Sequence, residues 1–346
     1  MNSAQTKPLQ SDCESLASAY DAALLDLDGV VYVGDESVPG VIAALNLAHE
    51  NTGIALTCVT NNAARSSSAV SAHLVELGLS VSADDVVTSA QAGAAQLAKL
   101  VKPGATVFVC GSRDLMYEVE LVGLKPSQEF HLEYDAVING YWPDMPWRML
   151  GQAAGIISTG AVWVATNMDL TIPTKFGTSP GNGSMVNGLI NATGRKPNVV
   201  AGKPETPLIQ ASIDRTKSKK PLMIGDRLDT DILGANNAGI DSLLVLSGVT
   251  SIYELITAAP NQRPTFLGWD ATCILESHTG VAINGDIAQL GGWKVDGKGL
   301  SGAGASLDAV RLSAVASWEE ICAVNVLIEH LLAAGLTVRN PNRSGA

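Results

Sequence analysis

Asp26 and Asp28 stand two residues apart, after the apolar pair Leu24-Leu25 and directly before Gly29. Residues two apart on a strand leave it on the same face. Gly29 then lets the chain turn away without steric cost. Two carboxylates that close repel, so a cation or a shared proton belongs between them. Three further groups follow apolar runs in the same way: Thr60-Asn61, Lys203, and the acidic pair Asp226 and Asp231. Together they form a complementary set. A carboxylate can attack phosphorus and carry an aspartyl-phosphate. A second can protonate the leaving oxygen and then activate water. A hydroxyl, backbone amides and an ammonium can hold phosphoryl oxygens. A third carboxylate, with the first, can hold Mg²⁺. Each element also has a plainer reading alone. Asp-Gly suits a turn, Thr60 a helix N-cap, Lys203 a solvated surface, and Asp226–Asp231 a capped helix start. The order and setting of all four outweigh those readings.

The elements that must position these groups alternate between strand and helix. Strands are expected at about Ala22–Leu27, Ile54–Val59, Pro221–Gly225, Ser242–Leu246 and Thr265–Leu267. Val41–Glu50 reads as a helix with Val41, Ala44, Leu45 and Ala48 on one face, and Ser66–Leu77 and Ser89–Leu100 read as two more. Alternation of this kind predicts an α/β fold with a doubly wound parallel sheet. Ligands bind such sheets at the carboxyl ends of the strands, where all four groups fall. After Lys102-Pro103-Gly104 a separate alternating set begins: strands Thr106–Cys110, Ala136–Ile138 and Val162–Ala165, with helices Asp114–Val122 and Trp147–Ser158. It reads as an inserted domain, closed by a loop at Pro180–Asn182 and a helix at Ser184–Thr193. Beyond Leu275 glycines punctuate short strands around Ala282-Ile283 and Trp293–Val295, and Leu307–Ala316 and Trp318–Ala334 look helical.

The 346 residues suffice for two or three domains, and the net charge of −12 argues against nucleic acid and anionic membranes as partners. The same charge opposes anionic substrates, so a phosphate site needs local cations. The five cysteines are far apart and lack metal-ligand spacing, which suggests buried thiols in a reducing, cytoplasmic compartment. The first twenty residues lack a basic-then-apolar leader pattern, and no run of eighteen apolar residues exists. The histidines (His49, His73, His131, His278 and His330) lie outside the motifs and read as surface or packing residues.

Asp26-Leu27-Asp28-Gly29-Val30, Thr60-Asn61-Asn62, Gly202-Lys203-Pro204 and Gly225-Asp226-Arg227-Leu228-Asp229-Thr230-Asp231 together resemble the haloacid dehalogenase-like phosphatases. The position of the insertion resembles the NagD-like, subclass IIA branch, as do Ala165-Thr166-Asn167-Met168-Asp169 and Pro180-Gly181-Asn182-Gly183-Ser184. The resemblance implies a HAD-like Rossmannoid core with a C2-type α/β cap. It implies Asp26 as nucleophile and Asp28 as general acid/base. Thr60, Asn61 and Lys203 would bind phosphate. Asp26, Asp226 and the Asp28 backbone carbonyl would hold Mg²⁺, with Asp231 as an accessory acid. An aspartate two residues after the nucleophile fits phosphatases rather than dehalogenases.

The expected organisation is a flexible tail at 1–18, a catalytic core at 19–101 and 198–275, a cap at 102–197 and a small α+β appendage at 276–346. The whole chain resembles actinobacterial members of the branch assigned as glycerol 3-phosphate phosphatases, whose C-terminal part has been likened to an acetyltransferase fold. A second enzyme there is not expected, because Gly299 stands where an acetyl-CoA loop needs Gln or Arg and the segment is short. The expectation is thus a cytoplasmic, Mg²⁺-dependent phosphomonoesterase acting on a small phosphorylated metabolite, with glycerol 3-phosphate foremost. The alternatives are a phosphoglycolate or 4-nitrophenyl phosphate phosphatase, and a phosphate-binding regulatory scaffold acting through the appendage. No membrane or nucleic-acid partner is expected, and homo-oligomerisation is left open. Asn167, Asn182 and Ser184 are the candidates for substrate specificity, since amides and hydroxyls suit a diol.

Overall fold

The structure is a computed structural model that describes residues 8–131, 133–174 and 177–338. The chain forms two compact units, Met1–Thr57 with Leu77–Ser80 and Thr216–Ala346, and Cys58–Glu76 with Val81–Arg215. The boundary cuts the strand Ala55–Thr60, so each unit holds half of it.

In the first unit, strands Phe266–Gly268, Asp241–Val245, Pro221–Gly225 and Ala22–Leu25 lie side by side in that order, all parallel. The start of Ala55–Thr60 joins Ala22–Leu25 through Ala55 N donating to Asp21 O at 3.0 Å. Every residue of Ala22–Leu25 and Pro221–Gly225 is buried, the run expected of parallel strands covered on both faces. Helix Val41–Thr52 buries Val41, Ala44, Leu45 and Ala48, the face expected from their spacing. It stops at Gly53, whose φ of 75° supplies the left-handed C-cap.

The last residues, expected as a small α+β appendage, are α+β and share a hydrophobic cluster with this unit. Strands Ala282–Asn284, Ile287–Leu290, Trp293–Asp296 and Gly299–Gly302 form an antiparallel sheet in sequence order. Helices Ser306–Trp318 and Val324–Ala333 follow. Leu312, Val315, Leu327 and Leu331 belong to one hydrophobic cluster with Leu244, Leu255 and Leu267 of the parallel-sheet layer. Helix Ser306–Trp318 is buried continuously from Ala309 to Ala316, which a peripheral helix would not be. The second and fourth strands carry no clean alternation, and so escaped the sequence reading.

The expected tail at 1–18 is also corrected for residues 8–18, while 1–7 lie outside the described residues. Leu9 is fully buried; its N–H donates to Thr265 O and its carbonyl accepts from Val281 N. Cys13 and His278 exchange backbone bonds of 2.6 Å, and Leu16 and Ala17 are buried in a short helix. A mostly polar composition hid three apolar anchors and a strip of backbone pairing.

In the second unit, Cys58, Val59 and Thr60 pair in parallel with Val86, Val87 and Thr88. A five-stranded parallel sheet runs in the order Val199–Val200, Val162–Ala165, Ala136–Asn139, Thr106–Cys110, Lys125–Ser127. Val107 and Val109 face a cluster with Leu97, Leu115 and Val119, while Phe108 faces one with Ile156, Trp163 and Val186. Both faces are therefore covered. An antiparallel hairpin, Thr171–Thr174 with Gly177–Pro180, replaces part of the expected loop, and the following helix starts at Asn182. Among the described residues no helix is long and apolar enough to cross a membrane.

Candidate active site

In the first unit, Asp26 continues the buried strand Ala22–Leu25, its N–H bonded to Ile224 O at 2.9 Å. The chain then folds back, with Gly29 at φ 82° and its N–H on Tyr32 O at 2.8 Å. Gly29 is required twice over. Its φ disfavours other residues, and a Cβ there would lie 2.6 Å from Asp226 Oδ2. Gly248 presses on the same carboxylate from another loop, and a Cβ on Gly225 would overlap Asp231. Three glycines thus let backbone close around two acids.

Asp226 directly follows strand Pro221–Gly225 and is 1% exposed. Its Oδ2 accepts from Val249 N at 2.6 Å, while its Oδ1 is buried with no hydrogen-bond partner among the described residues. Asp231 lies in a π-helical turn at Leu228–Ile232, fully buried, and accepts from Arg227 N at 3.1 Å. One carboxylate oxygen from each of Asp26, Asp226 and Asp231 lies within 4.8 Å of the others. Burial, then the charges of Asp231 and Asp26, push the Asp226 carboxyl up to about 8. Arg227 pairs in bidentate fashion with Asp229, at 3.0 and 2.8 Å. An all-oxygen cluster with a bare buried acceptor and accumulated negative charge fits a hard divalent cation. Asp231, expected as an accessory acid, stands within this cluster. Asp28 is exposed at the turn after the strand.

The second unit gathers another set. Thr60 ends its strand, 9% exposed, and its Oγ1 accepts from Asn62 N at 3.1 Å. Lys203 is 2% exposed, with Nζ donating to Val59 O at 3.1 Å. Asn61 clamps the Lys203 backbone from both ends of its amide. Its Nδ2 donates to Lys203 O at 3.0 Å and its Oδ1 accepts from Lys203 N at 2.8 Å. The same Nδ2 also reaches Asp169, at 3.1 and 3.2 Å. Gly202 permits this, since a Cβ there would come within 2.6 Å of Asn61 Oδ1. The Asn61 side chain thus braces the Lys203 backbone.

The specificity candidates also bond within the protein. Asn167 Nδ2 donates to Asn61 O at 2.7 Å and its Oδ1 accepts from Asp169 N at 3.1 Å. Ser184 Oγ donates to Leu170 O at 2.6 Å, and Asn182 Nδ2 to Asn167 O at 2.8 Å. Of the three, Asn182 alone keeps a buried oxygen, Oδ1, with no partner among the described residues. Their polarity serves loop architecture. Sequence reasoning missed Asp169 as part of the brace and the Ser247–Val249 loop around Asp226. The glycine of Leu246-Ser247-Gly248, just past a buried strand, was the available signal for the second.

A model described as haloacid dehalogenase-like hydrolase matches residues 23–125, and a related HAD-hydrolase-like model matches 200–270. The D-glycerol 3-phosphate phosphatase of Mycobacterium tuberculosis is 43% identical over 283 residues, spanning 82% of this chain and 78% of that one. The chain belongs to the haloacid dehalogenase-like hydrolases, in the NagD-like branch. Two crystal structures of glycerol phosphate phosphatase from M. tuberculosis resemble this member of the family. The calcium complex matches with TM-score 0.82 and 37% identity over 94% of this chain and 99% of that one. The magnesium complex matches with TM-score 0.80 and 41% identity, over 88% and 92%. A likeness that spans nearly the whole of both chains extends to the C-terminal sheet and helices, not only to the hydrolase core.

Proposed function

We propose that this chain is a Mg²⁺-dependent phosphomonoesterase that hydrolyses a small phosphorylated metabolite, glycerol 3-phosphate, through an aspartyl-phosphate on Asp26. One observation carries the reading: Asp26, Asp226 and Asp231 crowd three carboxylates together, and the buried Asp226 Oδ1 has no hydrogen-bond partner among the described residues. Such a cluster is costly without a divalent cation, and oxygen donors alone suit Mg²⁺. The magnesium complex of the M. tuberculosis glycerol phosphate phosphatase supports both the metal and the substrate. Asp26, Asp226 and the Asp28 backbone carbonyl would hold the ion, with Asp231 beside them. When bound, it offsets the carboxylate repulsion and the charge that builds on the phosphoryl oxygens.

The chain's own residues divide the chemistry as follows. A carboxylate oxygen of Asp26 attacks phosphorus, and the bond from phosphorus to the alcohol oxygen breaks. Asp28 gives its proton to that leaving oxygen. Asp28, now a carboxylate, then takes a proton from water as the water oxygen attacks the aspartyl-phosphate, releasing orthophosphate and restoring Asp26. The Thr60 hydroxyl and the Lys203 ammonium hold the phosphoryl oxygens, and Asn61 fixes the Lys203 backbone. Five cysteines with none of them in a disulfide agree with a reducing, cytoplasmic setting.

The test is phosphate release from glycerol 3-phosphate by the full chain, with Mg²⁺ and with excess chelator. Turnover that disappears with the chelator and returns with Mg²⁺ is expected. A chain that releases phosphate from no phosphomonoester tried, at any Mg²⁺ concentration, would overturn the reading.

A further inference from the structure

Asp169 lies half-buried in the loop between strands Val162–Ala165 and Thr171–Thr174, and no step of the proposed reaction uses it. Its loop is held in one place. The Asp169 carbonyl accepts from Gly183 N at 2.9 Å, and the Asp169 N–H donates to Asn167 Oδ1 at 3.1 Å. Asn182 Nδ2 donates to Asn167 O at 2.8 Å, which ties the start of helix Asn182–Thr193 to the same loop. Two glycines make room for this approach. A Cβ on Gly181 would lie 2.3 Å from Asp169 O, and one on Gly183 would lie 2.1 Å from Met168 O. A loop tied this often presents its carboxylate from a fixed backing.

We propose that Asp169 is a positioning residue for the phosphate site, acting on Lys203 through the Asn61 amide. The inference rests on the phosphatase reading, which gives Lys203 a phosphoryl oxygen to hold. Asn61 Nδ2 carries two hydrogens, and both are used. One serves Lys203 O at 3.0 Å, and the other serves the Asp169 carboxylate, at 3.1 and 3.2 Å from its two oxygens. An ionised carboxylate only accepts, so it demands the NH₂ end of the amide. That same orientation turns Asn61 Oδ1 to Lys203 N at 2.8 Å. Turned end for end, the amide would set oxygen against oxygen at Asp169 and at Lys203 O, and lose both bonds. The main chain of Asn61 is fixed as well, its carbonyl accepting from Ser89 Oγ and from Asn167 Nδ2. Asp169 therefore selects the one arrangement that the Lys203 backbone needs. The Lys203 side chain is 2% exposed and its Nζ is bonded to Val59 O, so a shift of its backbone is carried to the ammonium. Misplacing such a group by about 1 Å costs on the order of 10²-fold in rate.

The test measures kcat, KM and inhibition by orthophosphate in the full chain with Mg²⁺, on glycerol 3-phosphate and on 4-nitrophenyl phosphate. Asp169→Ala is expected to raise KM and the orthophosphate inhibition constant about tenfold or more, the worth of a hydrogen bond to a charged group. Asp169→Asn keeps an oxygen that accepts from Asn61 and is expected to recover most of that loss. In an Asn61→Ala background, Asp169→Ala is expected to add less than about twofold, because the contact it removes is already gone. A role confined to holding the loop would instead lower the active fraction and leave both constants in place. Asp169→Leu, which keeps the bulk and offers no acceptor, is read by the same criteria where Asp169→Ala does not fold. Unchanged constants in an active variant without the acceptor, or full additivity with Asn61→Ala, would overturn the inference and leave the phosphatase reading standing. So would an Asp169→Asn as impaired as Asp169→Ala. A wild-type chain inactive on both esters would overturn the phosphatase reading, and this inference with it.

Discussion

At the scale of single residues, the two acids of the first motif differ in what they face. Asp26 sits in a cluster that raises its neighbour Asp226, whereas Asp28 stands exposed beyond it. Asp26→Asn should therefore keep the fold and abolish turnover, since an amide is a poor nucleophile and a weaker metal donor. A steady-state assay that finds activity within tenfold of wild type would remove Asp26 from its role. Asp28→Asn should cost roughly 10²–10⁴-fold in kcat, the usual worth of a placed proton donor. Asn61→Ala should act at one remove. It deletes the two bonds that hold the Lys203 backbone and the contact to Asp169, so both kcat/KM and stability should fall, the latter by about 1–3 kcal/mol. Urea unfolding alongside kinetics checks this, and an unchanged midpoint would argue against a brace.

Elements decide whether the acids can stand where they do. The turn after strand Ala22–Leu25 passes so close to Asp226 that only a glycine fits at position 29. Gly29→Ala places a methyl against the Asp226 carboxylate and adds roughly 1–2 kcal/mol of left-handed strain. The expected result is a loss of Mg²⁺ affinity greater than the loss of thermal stability, read by titrating the metal against activity. A second element-level device joins the N-terminal segment to helix Ser306–Trp318. His278 Nδ1 lies 2.9 Å from the Arg311 guanidinium and 3.2 Å from Ser11 O, with Phe266 packed edge-on at 4.6 Å. Burial, then the Arg311 charge, push the imidazole down to about 4, the carbonyl of Ser11 and the charge of Asp12 opposing. The folded state then binds fewer protons than the unfolded state between about pH 4 and 6.5, so stability falls as pH drops through that window. The loss is about 3 kcal/mol at most. His278→Gln should flatten the dependence in denaturant melts between pH 4 and 7, and equal slopes in both proteins would exclude His278 as its source.

For the whole molecule, the consequential observation is that the C-terminal segment shares the core of the parallel-sheet unit. Trp318 Nε1 donates to Leu255 O at 3.1 Å, and Arg263 lies over its ring at 5.2 Å. Removing residues 276–346 strips Leu312, Val315, Leu327 and Leu331 from the cluster that holds Leu244 and Leu267. Each such side chain is worth about 1.5–3 kcal/mol, so their sum rivals the whole stability of a domain. A chain ending at Leu275 should accordingly fail to unfold cooperatively, or come out insoluble, although every motif proposed as catalytic precedes the cut. Calorimetry of the shortened chain, with a sharp transition near that of wild type, would show the segment to be dispensable.

The local chemistry was legible in the sequence wherever a short stretch determines its own structure. Apolar runs ending in Asp26, Thr60 and Asp226 announced buried parallel strands and the groups at their carboxyl ends, because strand burial and side-chain alternation depend on neighbours only. Helix Val41–Thr52 followed from its apolar spacing for the same reason. Tertiary structure alone decided what the polar groups do. Asn61, Asn167 and Ser184 have side chains that would suit a substrate, yet each meets a backbone group distant in sequence, and no local pattern encodes that meeting. Leu9 and the C-terminal helices looked peripheral because their partners, Thr265 and Leu244 among them, are brought to them only by the fold. Which residues stand at the ends of buried strands is written in the chain; which polar groups are spent on holding others still is fixed by packing, where a buried amide must find its partners or cost the fold their loss.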